Sequence, residues 1–325
     1  ETKVKKKSTE IFENAPIPKA VFLNIIPSIV SMLMVLVYNL ADTFFIGQTK
    51  NALMVAAVSQ ATPAFLLFMA IGMLFGIGGT SLISRLLGQG RKAEARKACS
   101  FCFWTGLGVG VVGMLAILIF NEPISWLVGA TESTIEYVRQ YLVIVAFGVP
   151  FLIIGNVFSN VIRAEGSANK AMMGMILGNL TNIVLDPIMI LTFGWNVAGA
   201  AIATVLGNVV SAVFYISHFM GGKSELTISI REYQAKHQIA TGVLAIGIPA
   251  SLNSMLMSVS NVLINNLMKE YGDMSVAGLG VAMKVNMVAV MLLIGLGTGI
   301  QPLLGYNYGA GNRKRYKGIL RFSLI

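Results

Sequence analysis

Residues 16–47 read PIPKAVFLNIIPSIVSMLMVLVYNLADTFFIG, and this stretch decides the class of fold. It exceeds the roughly 20 apolar residues that cross a bilayer as a helix. Yet it carries Pro27 in its interior and Asp42 near its far end. A proline removes a backbone hydrogen bond that some neighbouring group must make good in lipid. An aspartate at membrane depth costs roughly 2.5–3.5 kcal/mol on insertion scales. A span that keeps both is expected to bend at Pro27 and to titrate, or bind a cation, at Asp42.

Outward from this stretch the pattern repeats. The chain has 325 residues, 55% hydrophobic and 12% charged, where soluble domains carry about 25% charge. Membrane-length apolar runs cover about 17–46, 52–84, 95–120, 136–162, 168–193, 197–220, 239–268 and 274–306, with a ninth starting near 315. The fold class is therefore an all-α polytopic membrane protein. The first apolar segment is too long for a cleavable signal peptide. A net charge of +10 would point to nucleic acid in a soluble chain; here the basic residues sit in short loops, and no nucleic acid is expected. Cys99 and Cys102 are too few for zinc, and are read as packing residues. His218 and His237 flank a polar linker and are expected to be solvated. No cluster of catalytic residues marks an enzyme, and no cofactor is expected beyond a coupling ion.

Four regions follow. Residues 1–15 form a charged tail, 16–220 a first bundle of six spans, 221–238 a polar linker and 239–325 the start of a second bundle. Twenty Lys and Arg fall in the tail and alternate loops, three on the opposite side, and Lys284 within a span. The positive-inside rule then places the N-terminus in the cytoplasm, in a plasma membrane. IIPS at 25–28 recurs as GIPA at 247–250, pairing Pro27 with Pro249. VAAVSQA at 55–61 recurs as VAGLGVA at 276–282, and LLGQGRK at 86–92 as NYGAGNRK at 307–314, pairing Gly88 with Gly309. All three matches share one spacing of 221–222 residues. Two six-helix bundles in parallel repeat are expected, the second incomplete in this chain.

Of the fourteen acidic residues only Asp42 and Asp186 lie within spans, and intramembrane carboxylates are functional candidates by default. Tyr38 and Asp42 stand one turn apart on one face, as do Asn182 and Asp186. Pro187 loosens the backbone beside Asp186. Asn156 and Thr204 add polar groups in the fourth and sixth spans. Two carboxylates with amide, hydroxyl and phenol oxygens would suit Na⁺ as a metal site, or a proton; ligand type leaves both open. The spacings Gly72/Gly76, Gly106/Gly110 and Gly295/Gly299 are read as close helix packing.

These residues resemble a known family. The proline-bent first span ending in NLADTFFIG, the NIVLDP motif of the fifth span and the repeated bundles are similar to the multidrug and toxic compound extrusion (MATE) transporters. Lipid-linked polysaccharide flippases belong to the same superfamily. The resemblance implies an antiporter that exports organic, often cationic or amphiphilic compounds against inward H⁺ or Na⁺ by alternating access, working in lipid as a monomer. A flippase for lipid-linked oligosaccharides is the alternative, and would call for a strongly cationic cavity. By resemblance Asp42 is the cation-site carboxylate of the first bundle, with Tyr38, Asn156, Asn182, Asp186 and Thr204 as partners and Pro27 as the responsive bend. The NorM-like subgroup has a glutamate about where Met257 stands here, so the chain is closer to the DinF-like subgroup. Met-rich and aromatic lining repacks around varied shapes; Gln60, Phe65, Phe151, Met257 and Lys284 are the expected substrate cavity.

Overall fold

A computed structural model describes residues 10–49, 51–222, 224–268 and 273–324, leaving undescribed the side chains of 52, 258, 261–262, 265–266, 268, 273–281 and 284. The chain order is α1 (Ile17–Gly47), α2 (Ala52–Gly88), α3 (Lys92–Ile119), α4 (Asn121–Leu127), α5 (Ile135–Ala164) and α6 (Ala168–Asp186) with a π-helical turn (Pro187–Thr192). Then come α7 (Asn196–Met220), α8 (His237–Met268), α9 (Asp273–Gly309) and α10 (Arg313–Ser323). Eight of these helices, all but α4 and α10, contain stretches long and apolar enough to span a membrane. The all-α polytopic class follows. Short α4 occupies part of what the sequence suggests is a loop.

The first bundle is built around α5, buried along most of its length from Val138 to Ala164. Helices α2, α3, α6 and α7 enclose it. Small residues permit the approach, since in lipid helices associate mainly by close packing and hydrogen bonds. A methyl at Gly72 of α2 would stand 2.8 Å from Asn156 Cβ, and one at Gly110 of α3 would stand 2.8 Å from Pro150 Cα. Phe158 of α5 packs between Phe103 and Phe219, with centroids at 5.3 and 4.6 Å. Cys99 and Cys102 are buried free thiols within this core.

Pro27 is buried inside α1. Polar side chains reinforce the backbone around the hydrogen bond that proline cannot make. Ser28 Oγ donates to Asn24 O at 2.9 Å, Ser31 Oγ to Pro27 O at 2.7 Å, and Asn24 Nδ2 to Ala20 O at 2.8 Å. Such back-bonding from Ser to the preceding turn favours bending. Helix α9 crosses α1 here: a Cβ on Gly299 would meet Asn24 O and Ile25 Cα, each at 2.8 Å.

Three polar segments pack against the helices. The described end of the tail is docked through Phe12, while Glu10, Glu13 and Asn14 stay exposed. Phe12 is fully buried, 5.4 Å from the Tyr306 ring. Arg315 of α10 donates to the carbonyls of Phe12 at 2.8 Å, Ala15 at 2.6 Å and Ile11 at 3.3 Å. Burial lowers the Arg315 guanidinium from its ordinary pKa. The linker is strapped along α3: Lys92 Nζ pairs with Glu225 at 2.9 Å, Ser100 Oγ donates to Ser229 O at 2.8 Å, and Trp104 Nε1 to Ile228 O at 3.0 Å. His218, expected in solvent, is mostly buried, with Nε2 at 2.7 Å from Glu165 Oε1. Ser224 Oγ donates to the other oxygen of the same carboxylate at 2.5 Å. A buried carboxylate needs such partners, and the fold brings one from the last turn of α7 and the other from the linker beyond it.

Candidate cation site in the first bundle

Asp186 is the last residue of α6, and the wider π-helical turn starts at Pro187. Proline has no N–H to offer the preceding turn, and π-turns of this kind cluster at functional sites. Asp186 is fully buried. Oriented by its hydrogen bonds, the Asn182 amide donates through Nδ2 to Asp186 Oδ2 at 2.9 Å and accepts through Oδ1 from Thr204 Oγ1 at 3.2 Å. The opposite oxygen, Asp186 Oδ1, is buried with no hydrogen-bond partner. A buried carboxylate oxygen left bare is costly, so this position fits a proton or a small cation.

Asp42 enters from α1, close enough for its charge to act on Asp186. Tyr38, one turn before it, faces Thr204 and lies within electrostatic reach of both carboxylates. The structure thus brings Tyr38, Asp42, Asn182, Asp186 and Thr204 together from α1, α6 and α7. Asn156 lies on the wall of the adjoining cavity, its Nδ2 donating to Leu152 O at 3.0 Å.

That cavity has a volume of about 140 Å³ and is lined by Tyr38, Asn39, Phe65, Asn156, Asn179, Asn182, Thr204 and Asn208, among others. A water occupies about 30 Å³ in the liquid, so it holds a few waters or a hydrated ion. Drug-sized ligands need roughly 300 Å³ or more. Among the described residues no Lys or Arg lines it. Asp42 and Asp186 do not line it themselves; Asp186 is tied to it through its hydrogen bond with Asn182.

The sequence reading missed several of these residues. Tyr141 of α5 lies within reach of both carboxylates. Asn179, Asn208 and Ser211 line the cavity. Their signal was available as spacing: Thr204, Asn208 and Ser211 stand at i, i+4 and i+7, and Asn179 precedes Asn182 by three. The expected substrate residues scatter. Phe65 lines the cavity. Gln60 Oε1 accepts from Thr134 Oγ1 at 2.8 Å, tying α2 to the turn before α5. Phe151 packs on the core of α5, Met257 is exposed on α8, and the Lys284 side chain lies outside the described residues.

The MatE family model matches residues 27–188 and 249–325. "Multidrug export protein MepA" of Staphylococcus aureus (strain NCTC 8325 / PS 47) is 31% identical over 310 residues, covering 95% of this chain and 68% of that protein. A solved MATE structure "in the straight conformation" superposes with a TM-score of 0.92 at 28% identity, covering 98% of this chain and 71% of the other. The "outward-facing conformation of a multidrug resistance MATE family transporter of the MOP superfamily" gives 0.90 at 28%, covering 98% and 70%. Matched family model, relatives and fold agree: this chain belongs to the MATE family of multidrug efflux transporters, which are carriers and not enzymes.

Proposed function

We propose that the chain exports organic, often cationic, compounds in exchange for inward H⁺ or Na⁺, with Asp42 and Asp186 as the coupling carboxylates. The bare, buried Oδ1 of Asp186 beside a small amide-rich cavity carries this reading. The cavity suits an ion better than a drug, so the drug would bind elsewhere between the bundles. Coupling then requires only that ion and drug favour different conformations. Pro27, with its back-bonded serines, is the flexible point of the helix that bears Asp42. Among the described residues only the first bundle has acids within its spans, in keeping with the DinF-like subgroup. The excess of Lys and Arg on the N-terminal side supports a plasma-membrane protein with a cytoplasmic N-terminus. Well inside the spans the sequence has a single basic residue, Lys284, which speaks against the strongly cationic cavity that a flippase for anionic lipid-linked sugars would need.

Efflux from proteoliposomes under an imposed H⁺ or Na⁺ gradient tests the proposal. Drug movement driven by one gradient in the wild type, and lost in Asp186→Asn, is expected. Drug movement indifferent to both gradients would sink it.

A further inference from the structure

We infer that Gly88 and Gly309 form the cytoplasmic seal of the transport cycle, a main-chain contact between the two bundles that closes because neither residue has a side chain. The inference rests on the alternating-access reading above. Gly88 is the last residue of α2 and Gly309 the last of α9. A Cβ on Gly88 would overlap the carbonyl oxygen of Tyr306 and stand 2.9 Å from its carbonyl carbon. A Cβ on Gly309 would overlap the carbonyl oxygen of Arg85 and stand 2.9 Å from its carbonyl carbon. Tyr306 lies three residues before Gly309, and Arg85 three before Gly88. Each glycine therefore receives the carbonyl that precedes the other by one turn.

The contact is symmetric in sequence as well. The spacing of 221 residues that pairs Gly88 with Gly309 also pairs Arg85 with Tyr306, Ser84 with Gly305 and Gly90 with Gly311. Ser84 and Gly305 face each other across the same joint, where a Cβ on Gly305 would overlap Ser84 Oγ. Gly90 and Gly311 both adopt left-handed backbone, at φ 75° and 70°. The joint thus sits on the axis that relates the repeats, at the ends of two helices that both finish on the basic side. One step deeper, Gln301 Nε2 donates to Ile77 O at 3.2 Å across it.

Gly78 and Gly247 meet the carbonyls of Val243 and Leu74 in the same way where α2 packs on α8, farther from the helix ends. Tight glycines within the first bundle behave differently: Gly72, Gly76 and Gly110 join its own helices and are needed in every state. The Gly88–Gly309 contact joins one bundle to the other, at the end that must part when the carrier faces the cytoplasm. Its obstacle is a main-chain carbonyl, which cannot turn aside as a side chain can. A single added methyl would hold the joint ajar and favour the inward-facing state.

The test uses the intact transporter with Cys99 and Cys102 changed to alanine and a reporter cysteine at Ser81, which lines the cleft between α2 and α9. Membrane-impermeant maleimide is applied from the cytoplasmic side of inverted vesicles. Gly88→Ala and Gly309→Ala are each expected to raise labelling, and to lower efflux, by about tenfold, a 1.4 kcal/mol shift between states. Gly108→Ala, at a site with nothing within 4 Å, should change neither. Gly305→Ala is the second arm: it should raise labelling, and adding Ser84→Gly should reverse it by removing the facing hydroxyl. Rescue of this kind separates a seal from a merely structural glycine. Wild-type labelling and efflux in folded Gly88→Ala and Gly309→Ala, or no rescue of Gly305→Ala, overturns the inference. Wild-type labelling that never responds to a driving gradient overturns the alternating-access reading beneath it.

Discussion

Asp186 divides its two oxygens between different tasks. Oδ2 is held by the Asn182 amide, which fixes the carboxylate; Oδ1 has no hydrogen-bond partner, and on the proposed function it receives the ion. Asp186→Asn keeps the shape and removes the charge, so gradient-driven efflux should fall at least about a hundredfold, near 2.7 kcal/mol. Asp42→Asn should do the same, with the protein still folded in the membrane. Asn182→Leu should cost less in folding than in coupling, seen as altered ion dependence at near-normal expression. Glu165 carries a different prediction. Truncation to alanine strands His218 and Ser224 in a buried site and should destabilise the fold by about 2–3 kcal/mol, read as a lowered melting temperature in detergent. The two kinds of acid were not equally legible. Asp42 and Asp186 stand out because a carboxylate inside an apolar run has no inexpensive explanation. Glu165 sits between Ala164 and Gly166 at a span end, where acids are ordinarily solvated. Its partners lie 53 and 59 residues away, so nothing local marks it.

At the scale of the element, the spans were legible because hydropathy reports length directly, and helix boundaries fall within four residues of those expected. What hydropathy does not report is direction of facing. Met257 and Phe151 share the composition of a cavity wall; one is exposed on α8 and the other is partly buried against the core. Composition cannot distinguish lipid, core and cavity, all of which accept Met and Phe. The packing of the polar linker was not legible for a related reason: its residues donate and accept along α3, and a polar strap has the same composition as a solvated loop. For α1 the prediction concerns Pro27. Pro27→Ala restores an amide that can bond Leu23 O, stiffening the helix between Asn24 and Ser31. Efflux should slow by roughly tenfold while equilibrium drug binding stays within about twofold, as expected for a change in conformational rate; stopped-flow transport and binding measurements distinguish the two.

For the whole molecule, the repeat visible in sequence foretells where the bundles meet but not how tightly. Its matches mark Pro27 with Pro249 and Gly88 with Gly309, yet only the structure sets Gly88 against Tyr306 and Gly309 against Arg85. The turn at residues 10–15 adds a second tie between beginning and end. Arg315→Ala removes the donor to Ile11 O and Ala15 O and leaves Phe12 O with Asn307 Nδ2 alone; a melting temperature lowered by an amount equivalent to about 2 kcal/mol is expected. Phe12→Ala empties a fully buried site against Tyr306 and should cost about 3 kcal/mol by cavity formation.

The Arg315 clamp also has a consequence for biogenesis. The hydrogen bonds from Asn307 and Arg315 to residues 11–15 close loops of 295 to 304 residues. During synthesis the turn at residues 10–15 leaves the ribosome long before its donors exist. Helices α1 to α9 must enter the membrane and find one another while Phe12 remains uncovered, and domains generally assemble N-terminal first. Docking of that turn therefore waits for α10, and its protection from proteolysis in a pulse-labelled chain would serve as a clock for assembly through α10.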